Sequence, residues 1–241
     1  MGTLYVVSTP IGNLEDISKR ALKVLSSVDV VLSEDTRQTA KILNCFGIKT
    51  RTFSYHQHSG EEKKLNILNM LMEGKNIALV SDAGAPGVSD PGNELINFIV
   101  SNTAFSHQSS LKNNQIPQNN DCQVKIIPVP GTSAITTALS VCGFNVNKFL
   151  FLGFWPKKKT KKTVKLIKSA GIPFVFFESP HRIVKTLTLL TEFLGGEKRV
   201  FVGRELTKIH ETHYRGSISE VIKMIQETKK IKGEITVVVD C

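Results

Sequence analysis

Short apolar runs that stop abruptly in stiff loops punctuate this chain, and between them apolar positions recur every three or four residues. The first pattern reads as buried strands of parallel type and the second as amphipathic helices, so their alternation predicts an α/β fold. Ile77 to Val80 shows it most clearly. Four apolar residues break at Ser81, and from there to Gly92 the chain reads SDAGAPGVSDPG, with three glycines, two prolines and two aspartates. In open α/β sheets ligands gather beyond the carboxyl ends of such strands, which puts Asp82 where a ligand would sit. Gly84 and Gly87 allow backbone shapes that a Cβ would block, while Pro86 and Pro91 stiffen the loop. A rigid structural turn would use the same punctuation.

The pattern repeats on either side. Leu4 to Val7 runs into Ser8, Thr9 and Pro10, and the apolar positions Leu14, Ile17, Ala21, Leu22, Leu25 and Val28 then predict a helix with Asn13 as its cap. Val30 to Leu32 leads into Ser33, Glu34, Asp35, Thr36 and Arg37, where capping by Thr36 and a functional carboxylate cluster fit equally well. Val124 to Ile127 ends in PVPGTS, a loop that opens a helix with free N–H groups, or one that caps itself through Thr132. Three stiff loops, after Val7, Val80 and Ile127, together imply one cleft. Neither G-x-G-x-x-G nor a phosphate-binding P-loop occurs, so nucleotide phosphates are not the expected ligand.

A polar link at Asn145 to Lys148 separates two expected domains, 1–146 and 147–241. In the second, Phe149 to Leu152, Phe174 to Phe177, Val200 to Gly203 and Glu234 to Val239 read as strands. Ser179 and Pro180 are placed to begin a helix, and Ser217 with Glu220 forms a capping-box pattern for a helix reaching about Thr228. Residues 106–123, rich in Asn, Gln and Ser, read as a flexible surface insertion.

Charge changes the picture further. The 241 residues carry a formal net charge of +10. Much of the excess falls at Lys157, Lys158, Lys159, Lys161, Lys162, Lys165 and Lys168, beside Phe154 and Trp155, which favours phosphate contacts with base stacking over a merely solvated face. Tyr55 and His56 suggest a second stacking or ribose contact, since a His56/His58 pair without a third ligand makes a poor metal site. The four cysteines are far apart, which fits reduced, mostly buried thiols. With no long apolar run and no secretory pattern, a cytoplasmic protein without a membrane span is expected.

The loops TPIGNL (Thr9 to Leu14), SEDTR (Ser33 to Arg37), SDAGAPGVSDPG, PVPGTSA (Pro128 to Ala134), FESPHRI (Phe177 to Ile183) and RELTK (Arg204 to Lys208) resemble those of the tetrapyrrole methylase superfamily, specifically its small-subunit ribosomal RNA methyltransferase group. The resemblance covers nearly all of the chain. It implies two α/β domains of tetrapyrrole-methylase type with an S-adenosylmethionine cleft between them. It also implies a homodimer that methylates the ribose 2′-hydroxyl of a cytidine in the decoding region of 16S rRNA within the small ribosomal subunit. Matched residue by residue, the cofactor positions are Pro10, Asp82, Ala83, Gly84, Ala85, Thr132, Ser133 and Ala134, with Phe154, Gly233 and Glu234 from the second domain. The 106–123 insertion and the stop at Cys241 depart from the family pattern.

A sulfonium already activates its methyl group, so alignment is the main task and a nearby base assists proton loss. Candidates for that base are Asp35, His56, Glu178 and Glu205. Arg37, Arg182 and Arg204 join Lys157, Lys158, Lys159, Lys161 and Lys162 as the expected RNA contacts, and no metal is required. A porphyrinoid or diphthine-type methyltransferase on the same fold, or a non-catalytic RNA-binding module, are the competing readings.

Overall fold

A computed structural model of the chain describes residues 1–56, 59–90, 92–109, 124–158, 160–228 and 231–240. Two compact units emerge: Met1–Pro10 with Leu14–Thr132, and Ile11–Asn13 with Ser133–Cys241.

In the first unit, β1 (Thr3–Val7), β2 (Val30–Ser33), β3 (Arg51–Ser54), β4 (Ile77–Val80) and β5 (Lys125–Val129) form a parallel sheet in the order β3-β2-β4-β1-β5. β2 and β4 are buried at every residue, which is why Val30 to Leu32 and Ile77 to Val80 read as unbroken apolar runs. On one face Val7, Val31, Ala78, Val80 and Val129 pack against Ala21 and Leu25 of α1 (Lys19–Ser27) and Leu43 of α2 (Thr36–Cys45). On the other, Leu4, Leu32, Ile77 and Leu79 meet Ile67 and Leu71 of α3 (Glu61–Met72) and Leu95 and Ile99 of α4 (Asn93–Ser109). Pro128 sits in β5, at the sheet's edge, where a missing N–H costs no ladder bond.

One helix start and one helix end differ from expectation. Leu14–Asp16 forms a 3-10 turn, and α1 begins only after Ser18, whose hydroxyl accepts the Ala21 N–H at 3.0 Å. Leu14, partly exposed, therefore does not belong to the helix's buried stripe, and Asn13 is not the cap. α4 runs to Ser109, into the first residues of the expected insertion; 110–123 lie outside the described residues.

The second unit holds a mixed sheet, β6-β7-β10-β8-β9, of β6 (Leu150–Phe154), β7 (Phe174–Glu178), β8 (Arg199–Arg204), β9 (Thr212–Ser217) and β10 (Ile235–Val239). β10 is central and buried at all of its residues, antiparallel to both neighbours. One face packs on Ile167 of α6 (Thr160–Ala170), Leu187 and Leu190 of α7 (Ile183–Leu194), and Val221 and Ile225 of α8 (Ile218–Glu227). α5 (Ala134–Val141) packs against β10, and Arg215, lying 4.9 Å from the Phe201 ring centre, donates to the Val141 carbonyl at the end of α5.

The Ser179-Pro180 start is displaced. Ser179 to Arg182 makes a turn, with the Arg182 and Ile183 N–H groups donating to the Ser179 carbonyl, and α7 begins at Ile183. The α8 capping box is complete: Ser217 Oγ accepts from Glu220 N–H, and the Glu220 carboxylate accepts from Ser217 N–H at 2.8 Å. Ser217→Ala removes this acceptor, and a loss of about 1 kcal/mol is expected, lowering the melting temperature by roughly 2–4 °C in a thermal scan.

Candidate functional site

Adjacent strands β1 and β4 send their connections to opposite faces, toward α1 and α4 respectively, and that divergence opens a crevice at their carboxyl ends. Thr9 ties the crevice together. Its N–H donates to Gly84 O at 2.9 Å and its carbonyl accepts from Gly84 N–H at 3.0 Å. Its hydroxyl donates to Ser81 O at 3.0 Å, while Thr132 Oγ1 donates to Thr9 O at 2.6 Å. Thus the loops after β4, β1 and β5 are cross-bonded through one buried threonine, and Thr132 serves that tie rather than capping its own helix. The loop geometry leans on glycine where expected, with Gly84 at φ 80° and Gly87 at φ 84°. Gly131 lies so close to Ser8 that an added Cβ would come within 3.0 Å of the serine Cβ.

Asp82 extends the tie to SEDTR. Its carboxylate accepts the Asp35 N–H at 3.0 Å. Asp35 caps α2 through the Arg37 N–H at 2.9 Å and holds the Arg37 guanidinium by two further bonds, at 3.0 and 2.7 Å. These bonds pull the Asp35 carboxyl down to about 2, so it stays ionised at any working pH and is a weak base. Arg37 remains 86% exposed despite its partner. Tyr55 is buried in the first unit's core, where burial and then the Glu94 charge raise its phenol, so it offers no stacking face; His56 is exposed, and His58 lies outside the described residues.

In the second unit Glu178 is enclosed. Its carboxylate accepts from Ser179 N–H at 2.7 Å and Thr186 Oγ1 at 2.6 Å and pairs with Arg182 at 3.3 Å, its side chain only 1% exposed. Arg182 in turn donates to the Trp155 carbonyl. Glu205 organises a knot: it accepts from Glu234 N–H at 2.8 Å and Lys208 Nζ at 2.9 Å, and Lys208 also pairs with Glu234. Burial pushes the Glu205 carboxyl up, but the Glu234 N–H and the Lys208 ammonium outweigh it and leave it below the usual range. Any Cβ on Gly233 would overlap the Glu205 carboxyl, and one on Gly12 would overlap the Lys208 stem. Glu205 (φ 53°) and Thr207 (φ 68°) are left-handed without being glycine, a strain worth about 1–3 kcal/mol each that clusters at functional loops. Arg204 spends donors on Lys232 O, His210 O and Thr212 Oγ1.

Neither Glu178 nor Glu205 therefore stands as an open base, and Arg182 and Arg204 are largely committed within the fold. Lys157, Lys158, Lys161 and Lys162 are exposed, as are Lys165 and Lys168, while Lys159 lies outside the described residues. Trp155 is buried, against expectation, and Phe154 is the exposed aromatic beside the lysines. Cys142 is buried but Cys45 is exposed. No helix among the described residues is long and apolar enough to cross a membrane.

The family described as Tetrapyrrole (Corrin/Porphyrin) Methylases matches residues 3–107 and 113–222. The chain belongs to the tetrapyrrole methylases. Among its relatives within the family, "Ribosomal RNA small subunit methyltransferase I" of Thermotoga maritima is 42% identical over 99% of this chain and 98% of that protein. The protein of the same name from Bacillus subtilis is 41% identical over 100% of this chain and 75% of its own length. Among solved structures, the methyltransferase CobJ aligns with a TM-score of 0.69 at 15% identity, covering 100% of this chain and 94% of its own. A uroporphyrin-III C-methyl transferase from Thermus thermophilus, complexed with S-adenosyl homocysteine, aligns at 0.64 with 13% identity over 98% and 97%. At such identities these two methyltransferases show a shared fold alone, the two-sheet α/β architecture expected from the loop motifs.

Proposed function

We propose that the protein transfers a methyl group from S-adenosylmethionine to small-subunit ribosomal RNA, at the ribose 2′-hydroxyl of a cytidine, acting as a cytoplasmic homodimer. One observation carries the reading: relatives 37–42% identical over nearly the whole chain bear the name ribosomal RNA small subunit methyltransferase I. The exposed lysines of 157–168 support a polyanionic substrate.

The residues present suit the cofactor. Pro10 follows β1 and Asp82 to Ala85 follow β4, two loops that Thr9 ties together, and their small residues offer backbone groups and the Asp82 carboxylate to a polar ligand. Thr132 anchors the chain just ahead of α5, and Ser133, the N-cap of α5, makes no side-chain cap bond, which leaves its hydroxyl and the N–H groups around Ala134 for a ligand. Gly233 and Glu234 are held by the Glu205 knot. When bound, S-adenosylmethionine supplies a methyl group activated by its positive sulfur. The chain's task is then to align a hydroxyl oxygen with it, and this rigid, pre-tied loop set is built for alignment rather than strong base catalysis.

Mapping of the methyl group after incubation with 30S subunits and labelled cofactor tests the reading, and a methyl found on a base, on protein or only on a porphyrinoid would overturn it. Changing Lys157, Lys158, Lys161 and Lys162 together to Gln should weaken RNA binding and flatten its dependence on log salt by roughly 0.7–0.9 for each phosphate that is no longer neutralised. An unchanged salt slope would assign these lysines to solvent.

A further inference from the structure

β6 ends in an arrangement that packing alone does not explain. Its pairing with β7 runs in register at Leu150 and Phe151, shifts, and resumes at Phe154 opposite Phe177. Gly153, at φ 64°, takes up the irregularity with a conformation that side chains resist. Trp155 then turns inward, its backbone N–H donating to the Phe177 carbonyl at 2.9 Å and its ring buried against Phe176. The result is that Phe154 points outward, 66% exposed, although an aliphatic or polar residue would sit there at less cost in exposed apolar surface.

The exposed ring is nevertheless held. Phe177 meets it edge-on at 5.4 Å, and Phe151 in turn braces Phe177 at 5.3 Å. The loop that follows is tied by Arg182, which donates to the Trp155 carbonyl at 3.1 Å. Lys157 and Lys158 are exposed in that loop and His181 in the neighbouring turn. Lys161, Lys165 and Lys168 follow at helical spacing, exposed along one stripe of α6. A fixed, solvent-facing aromatic bordered by cations is the chemistry that receives an unpaired base with its phosphates.

We propose that Phe154 is a stacking platform for an unstacked nucleotide of the RNA substrate, with Lys157 and Lys158 on the adjoining phosphates. This rests on the RNA reading above and reassigns Phe154, which the family resemblance gave to the cofactor. Charge decides between the two. S-adenosylmethionine carries a sulfonium and an ammonium against one carboxylate, so a lysine-lined edge repels it, whereas a phosphodiester is attracted.

The test uses the full chain with a single-stranded oligoribonucleotide, 30S subunits and S-adenosylmethionine as separate probes. Phe154→Ala and Phe154→Leu should each weaken oligoribonucleotide binding roughly 5- to 150-fold, the range that loss of one base stack gives. The KM for 30S subunits should rise and cofactor affinity by calorimetry should stay at the wild-type value. Phe154→Trp should restore RNA affinity, a rescue that a purely structural role would not give, because the leucine variant preserves apolar packing on Phe177. Loss of cofactor affinity in Phe154→Leu, or unchanged RNA binding in both variants, would overturn the proposal. Failure of the wild-type protein to methylate 30S subunits would instead count against the proposed function, and the two results are read from different samples.

Discussion

Asp82→Ala is expected to weaken S-adenosylmethionine binding by about 10- to 100-fold, the worth of one charge-assisted hydrogen bond together with the order it imposes. The carboxylate does more than face a ligand. By accepting the Asp35 N–H it fixes the residue that caps α2 and clamps Arg37, so its removal loosens SEDTR as well as its own loop. Asp82→Asn separates the two roles, since the amide oxygen still accepts the Asp35 N–H while the charge is gone. Near-normal binding in the asparagine variant, measured by calorimetry beside the alanine one, would assign Asp82 to loop order. Wild-type affinity in Asp82→Ala would show that the Thr9-tied backbone suffices without it.

Glu178→Ala is expected to cost about 3 kcal/mol of stability, lowering the melting temperature by roughly 6–12 °C. The change deletes a fully enclosed carboxylate and strands the Thr186 hydroxyl and the Ser179 N–H, whose removal from water was compensated only by that group. Arg182, still tied to the Trp155 carbonyl, would keep one bond and lose its charge partner. Glu178→Gln keeps an acceptor for Thr186, and its folded fraction should turn over at the wild-type kcat. A kcat reduced a thousandfold in a variant that melts normally would make Glu178 a catalytic residue after all.

Strands buried on both faces could be read directly, because β2, β4 and β10 are buried at every position and apolar at all but Ser33 and Thr236. β3 (RTFS) and β9 (THYRGS) could not. Each is an edge strand paired on one side, β3 mostly exposed and β9 mostly half-buried, so neither has the apolar run or clean alternation that marks a strand. Asn13 looked like a cap because Leu14 extended the helical spacing, yet a 3-10 turn intervenes and Ser18 takes the role. Among the candidate residues the three loops were legible from glycine and proline alone, but Thr9 was not. Its importance lies in bonds to Ser81, Gly84 and Thr132, residues distant in the chain. The same holds for Glu205, whose partner Glu234 lies 29 positions away, so a loop knot read locally as a candidate base.

The central place of β10 also sets a timetable for synthesis. β6 through β9 leave the ribosome first, and until Ile235 to Val239 follow, β7 and β8 each present a bare hydrogen-bonding edge with apolar residues on both sides. Such edges recruit other strands, so the nascent second unit is exposed to mispairing for as long as translation takes to cover α8 and the loop beyond it, on the order of seconds at ordinary elongation rates. The first unit, whose last strand lies on an outer edge, has four strands side by side before β5 arrives and faces no comparable gap. Pulsed proteolysis of arrested nascent chains should accordingly find the first unit resistant well before the second, with the second becoming resistant only once β10 has cleared the exit tunnel.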